Sequence, residues 1–144
     1  MKKQLPLIVI LAIVFTGCFQ RHPLPYLYEG WEKQGTPHFR TEAQKKTDEI
    51  EVFKALLECG FESPFGDSTN DMNKVALLDR CMIKAGFIDK VYLDYTGGKT
   101  WCEKHPNLPA CNLPLSQIPD RNVSMRLNSK WCTKLYPQAD ACKP

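Results

Sequence analysis

The sequence predicts a small, mainly α-helical domain stapled by disulfides and built on an αα-hairpin with two cysteine-closed loops. Three observations carry that expectation. An apolar leader of export type precedes six cysteines, an even set that an oxidising compartment closes into three bridges. Two stretches, 41–60 and 70–86, place apolar residues at helical spacing between a capping residue and a glycine. Near the C-terminus "SKWCTKLYPQADAC" (129–142) repeats "KTWCEKHPNLPAC" (99–111). Both have Trp-Cys-x-Lys, a proline four or five residues after the cysteine, and a closing Ala-Cys.

The leader has three parts: Lys2 and Lys3, an apolar core from Leu5 to Phe15, then the small residues Thr16 and Gly17. These are the n-region, h-region and cleavage site of an export signal. The core is short of the roughly 18–20 residues that span a bilayer as a helix, so residues 1–17 are expected to be removed. "FTGC" (15–18) resembles the bacterial lipobox, which implies that Cys18 is diacylated on sulfur and becomes the mature N-terminus. The cysteine count agrees, because Cys18 is the odd member of seven. Each buried methylene contributes about 0.8 kcal/mol, and two or three chains hold a protein at a membrane surface without spanning it. In Gram-negative lipoproteins an aspartate directly after the cysteine commonly retains the protein at the inner membrane. Phe19 stands there instead, so the resemblance implies the outer membrane of a Gram-negative cell envelope.

Removing 17 of 144 residues leaves 127, enough for one domain and hardly for two. The leader carries two lysines and no acid, so the formal charge falls from +3 to +1. A nearly neutral chain has no basic stripe, and nucleic acid is not expected as a partner.

Residues 18–40 contain Pro23, Pro25 and Pro37 without periodicity and read as an extended tether for a domain at 41–144. Tyr26, Tyr28 and Trp31 in it either recognise a partner or pack back on the hairpin, and packing is the commoner use of aromatics. The first helix opens at Thr41 with a capping box, Thr41-Glu42-Ala43-Gln44. It continues through Ile50, Phe53, Leu56 and Leu57 and stops at Gly60. Its acids Glu42, Asp48, Glu49, Glu51 and Glu58 read as a solvated face. The second helix starts near Asn70, where Ser68, Thr69, Asn70 and Asp71 are all possible caps. Val75, Leu78 and Met82 give its apolar stripe, and Gly86 ends it. "GFESPFGDS" (60–68) joins the two as a turn-rich link. "KVYLDY" (90–95) is the one good strand candidate.

The repeat narrows the fifteen possible pairings of six cysteines. Each copy reads as a loop closed by its own bridge, Cys102–Cys111 and Cys132–Cys142, which leaves Cys59 with Cys81. On the chain-entropy model each local bridge contributes about 2.5–3 kcal/mol. Trp101 and Trp131 stand immediately before the first cysteine of their loops. With Trp31 they are weak candidates for an exposed binding patch, although packing in a thin core is the default.

No Cys-x-x-Cys occurs and the histidines are only His22, His38 and His105, so neither a metal nor any other cofactor is expected. Cys102 and His105 lie three apart, the minimum for an activated thiol. A bridged sulfur cannot be a nucleophile, however, and there is no Gly-rich phosphate loop or serine nucleophile elbow. No catalytic residue is assigned.

"GWEKQGT" (30–36), "ALLECGF" (55–61), "RCMIKAGF" (80–87) and "CEKHPNLPAC" (102–111) together resemble small bacterial envelope lipoproteins. Those carry Trp-x-Lys-x-Gly, Leu-Leu-x-Cys-Gly, Cys-Met and Cys-x-x-x-Pro-x-x-Pro-Ala-Cys signatures. The resemblance covers most of the mature chain and implies lipidation and disulfides without an activity. The second loop departs from it, with Tyr136-Pro137-Gln138-Ala139-Asp140 where the first has His105-Pro106-Asn107-Leu108-Pro109. The expectation is therefore a membrane-anchored, non-enzymatic lipoprotein acting through contacts with an envelope protein. The alternative is a small envelope hydrolase or peptidoglycan-acting enzyme, marked by a pocket with converging acids or histidine.

Overall fold

The structure, a computed structural model, describes residues 27–144. The leader 1–17, Cys18 and Tyr26 lie outside the described residues, as does the side chain of Tyr28. Along the chain come a helical turn α1 (Leu27–Gly30), β1 (Trp31–Lys33), α2 (Glu42–Cys59), α3 (Met72–Lys84), β2 (Phe87–Asp89), α4 (Lys90–Thr96), α5 (Trp101–Lys104) and α6 (Val123–Asn128). Short 3-10 turns lie at Pro109–Asn112, Leu115–Gln117 and Asp140–Cys142, and a π turn at Trp131–Leu135. The fold is mainly helical and disulfide-stapled, as the sequence predicts, with bridges Cys59–Cys81, Cys102–Cys111 and Cys132–Cys142.

The hairpin begins and ends where local chemistry dictates. The Thr41 hydroxyl accepts from the Gln44 N–H, and the Gln44 side chain accepts from the Thr41 N–H, completing the capping box that opens α2. Gly60 closes the helix in the left-handed region at φ 103° and donates its N–H to the Leu56 and Leu57 carbonyls. Of the four possible caps for α3, Asp71 is the one used, its carboxylate accepting from the Asn73 and Lys74 N–H groups. The Cys59–Cys81 bridge then ties the end of α2 into the last turns of α3.

Two adjacent leucines of α2 serve different cores. Leu56 faces a cluster with Trp31, Val52, Phe61, Leu78, Met82, Phe87 and Ile118, whereas Leu57 faces Trp131, Cys132 and Ala141. Consecutive helical residues point about 100° apart, so one helix wall divides the two clusters. Fully buried Leu56, Leu57, Met82 and Ile118 each contribute about 1.5–3 kcal/mol through area removed from water.

Two expectations differ from the observed structure. Residues 90–95 are helical, and the strand is the preceding Phe87–Asp89. The Asp89 carboxylate accepts from the Tyr92 N–H as an N-cap, and Gly97 at φ 70° ends the helix, so cap and stop together outweigh the strand propensity of Val91 and Tyr92. The partner strand comes from the segment read as tether. Trp31 pairs with Asp89, Glu32 with Ile88 and Lys33 with Phe87, antiparallel, and Trp31 is 5% exposed. Residues 27–33 therefore belong to the domain, because an extended chain carrying one large apolar side chain lowers its free energy by burying it. Gly30 makes that approach possible, since a Cβ there would lie 2.5 Å from Asp89 Oδ1.

Candidate functional site

The repeated loops adopt one architecture despite their one-residue difference in length. In the first, the His105 N–H bonds to the Trp101 carbonyl at 2.9 Å, an α turn; in the second, Tyr136 reaches the Trp131 carbonyl at 2.7 Å, one residue further, a π turn. From there the copies run in step. Leu108 donates to His105 and Cys111 to Leu108, as Ala139 donates to Tyr136 and Cys142 to Ala139. The extra residue is absorbed in the opening turn, so both loops place a ring over their tryptophan: His105 on Trp101 at 4.6 Å and Tyr136 on Trp131 at 5.1 Å between centroids.

Each loop is also clamped by one arginine. Arg80 on α3 donates Nη1 to the Ala110 carbonyl at 2.6 Å and to Leu113 at 2.7 Å, and Asn73, two turns earlier on the same helix face, accepts the Ala110 N–H. Arg126 on α6 donates Nη1 to the carbonyls of Ala141 and Lys143. Its Nε meets Glu58 Oε1 at 2.8 Å, while Arg121 Nε holds Oε2 of the same carboxylate at 2.6 Å. Glu58 and Arg126 are buried, so Glu58 is not part of the solvated face of α2. Two guanidiniums make its burial tolerable, since a carboxylate leaves water only where charge and hydrogen bonds replace hydration.

This frame separates the three tryptophans. Trp31 and Trp131 are buried in different clusters and form no common exposed patch; half-buried Trp101 stacks at 5.5 Å against Tyr92. Side-chain volume decides this, because a small domain fills its interior with its largest apolar groups. One group of exposed apolar side chains lies around Trp131. A groove of about 630 Å³ is lined by Leu57, Phe61, Met125 and Leu135, with Ser63 and Lys130 among its polar walls. Met125, Leu135 and Tyr136 are each about half exposed, and Phe65 packs on Trp131 beside them. Met125 and Leu135 carry no signal in the sequence, because nothing in a short helix or loop marks an apolar side chain as left outside.

A second concave feature lies on the opposite loop. A cleft of about 120 Å³ is formed by Gln34, Asp79, Ile83, Ile88, Asp89, Tyr92, Leu93, Thr100 and Trp101, drawn from α3, β2, α4 and α5. Asp79 Oδ2 is buried there and has no hydrogen-bond partner among the described residues. Burial first, and the Asp89 charge second, push the Asp79 carboxyl up to about 7. Asp89 is raised by burial against the lowering effect of its helix-capping bonds, and the Tyr92 phenol is raised by burial and then by both carboxylates. Sequence reasoning missed this pair, though Asp79 borders the Val75–Leu78–Met82 stripe, where a carboxylate is out of place on a core-facing helix.

The expected site residues otherwise assemble no reaction centre. Cys102 is bridged to Cys111, and His105 lies on the Trp101 ring. Among the described residues no three His, Cys, Asp or Glu side chains come together as a metal-ligand set, and no helix is long and apolar enough to cross a membrane. Comparisons with protein-family models, curated proteins and solved structures find no match to this chain.

Proposed function

We propose that this protein is an envelope lipoprotein, anchored through acylated Cys18 at the outer membrane, that acts by binding another envelope protein rather than by catalysis. The observation that supports binding is the groove beside Trp131, where Met125 and Leu135 stay half exposed on a frame clamped by Arg126 and Cys132–Cys142. Apolar side chains held open on a rigid wall cost little ordering entropy when a partner covers them. A photocrosslinking amino acid at Leu135, in intact cells, tests the reading. One saturable adduct is expected, lost when Met125→Glu is added with no change in melting temperature. Adducts as diffuse as those from the distant surface position Asn107 would reject the groove.

Two observations bear on the hydrolase reading: a hollow of about 340 Å³ where Glu32, Asp48, Glu49 and Glu51 are interspersed with Lys33, Arg40, Lys45 and Lys90, and the Asp79–Asp89 pair with one carboxyl raised towards neutrality. The cleft at that pair, of about 120 Å³, is below the roughly 300–1,000 Å³ of pockets that enclose a substrate. Release of soluble fragments from purified cell-wall polymer, abolished by Asp79→Asn, would move the function to that cleft.

A further inference from the structure

The Asp79 cleft combines features that bear on what could occupy it. Its walls are mostly apolar, from Ile83, Ile88 and Leu93, and the Tyr92 and Trp101 rings stand 5.5 Å apart at 43°. At its polar end Asp79 Oδ2 is buried and accepts no hydrogen bond among the described residues. Asp89 lies beside it, with Oδ1 occupied by the Tyr92 N–H at 2.9 Å. A native domain rarely buries a carboxylate oxygen without a donor, and an orphaned acceptor in a cavity open to solvent is where a donor can bind.

We infer that this cleft binds a primary ammonium group on an aliphatic stem, with the ammonium at Asp79 Oδ2 and Asp89 and the stem along Ile83, Ile88 and Leu93. The acidic end and the apolar walls of the lining match the two parts of that ligand. The ammonium has three N–H donors and no acceptor, so it suits a place where two carboxylates converge and where, among the described residues, the lining holds no Lys or Arg. A methylene stem fits walls that hydrate poorly. A cleft of about 120 Å³ has room for the end of one side chain. Burial and Asp89 hold the Asp79 carboxyl near 7, and a bound cation offsets both causes. The inference is independent of the groove at Trp131, which lies on the other loop.

A free amine and a lysine side chain share this chemistry, and titration of the full-length protein in detergent micelles separates them. The probes are n-butylammonium, a blocked Gly-Lys-Gly peptide, and n-butanol at equal ionic strength, with the indole N–H resonance of Trp101 as readout. Saturable shifts with either cation and none with butanol are expected. A tighter response to the peptide assigns the site to a protein's lysine; a tighter response to butylammonium assigns it to a small amine. Asp79→Asn should weaken the response at least tenfold, while Lys99→Ala should leave it unchanged. Asp79→Asn removes a buried charge and is expected to fold, so loss of binding in it is not loss of structure. Equal responses to butanol and butylammonium, no saturation by either cation, or full binding by folded Asp79→Asn would each overturn the assignment.

Discussion

Replacing Asp79 with asparagine should stabilise this protein at neutral and alkaline pH and leave it unaltered in acid. The reason is a difference in proton affinity between folded and unfolded chains. Unfolded, the carboxyl titrates near its ordinary value of 3.8; folded, burial and then Asp89 move it to about 7. Below pH 3.8 both states hold the proton and the residue contributes nothing. Between 3.8 and about 7 the unfolded state releases the proton while the native state keeps it, so stability falls as pH rises. Above 7 both are ionised and the full penalty persists. A move from 3.8 to about 7, at about 1.4 kcal/mol per pH unit, corresponds to about 4 kcal/mol. That is an upper bound, because the cleft can relax and asparagine must itself be solvated there. At a few degrees per kcal/mol for a domain of this size, the gain in Tm at pH 8 is roughly 10 °C, shrinking to zero near pH 3.5. Thermal unfolding of both proteins without reductant, from pH 3.5 to 8.5, measures it, and the difference between the curves removes the carboxylates that do not interact with Asp79. Parallel curves across that range would refute the argument, since they would mean that Asp79 titrates normally in the folded state.

Other perturbations have definite expected outcomes. Trp131→Ala, which removes a side chain 2% exposed, should cost about 3–5 kcal/mol in denaturant unfolding, and half-buried Trp101→Ala clearly less; equal losses would contradict the packing described. Arg126→Leu strands the buried Glu58 carboxylate with Arg121 alone and frees the carbonyls of Ala141 and Lys143. A loss of about 3–5 kcal/mol is expected, largely recovered by adding Glu58→Leu, and no recovery would place the effect elsewhere. Cys18→Ser should abolish incorporation of an acyl probe and release the protein from the membrane fraction, and undiminished labelling would remove the lipid anchor from the proposal. Alkylation of the unreduced, denatured mature protein should modify no thiol, and mapping should recover Cys59–Cys81, Cys102–Cys111 and Cys132–Cys142.

The sequence by itself determined what short-range chemistry controls. Thr41 and Gln44 open a helix because two neighbouring side chains satisfy two nearby N–H groups, and Gly60 ends it because the left-handed conformation costs glycine nothing. The cysteine pairing was legible because each repeated loop brings its own two sulfurs together within nine or ten residues. Tertiary structure alone decided the rest. Glu58 reads as one more acid on a solvated helix until Arg121 and Arg126, more than sixty residues away, close on it. The sequence favours Trp31 packing back on the hairpin, as it does, but nothing local shows that Phe87–Asp89 supplies a strand for its backbone. Asp79 and Asp89 sit ten residues apart on a helix and a strand whose relative placement no local pattern states, yet that placement sets the charge either can hold. Hydrogen bonds to near neighbours are written into residue spacing, whereas burial and the field at a carboxylate depend on which distant surfaces meet over it.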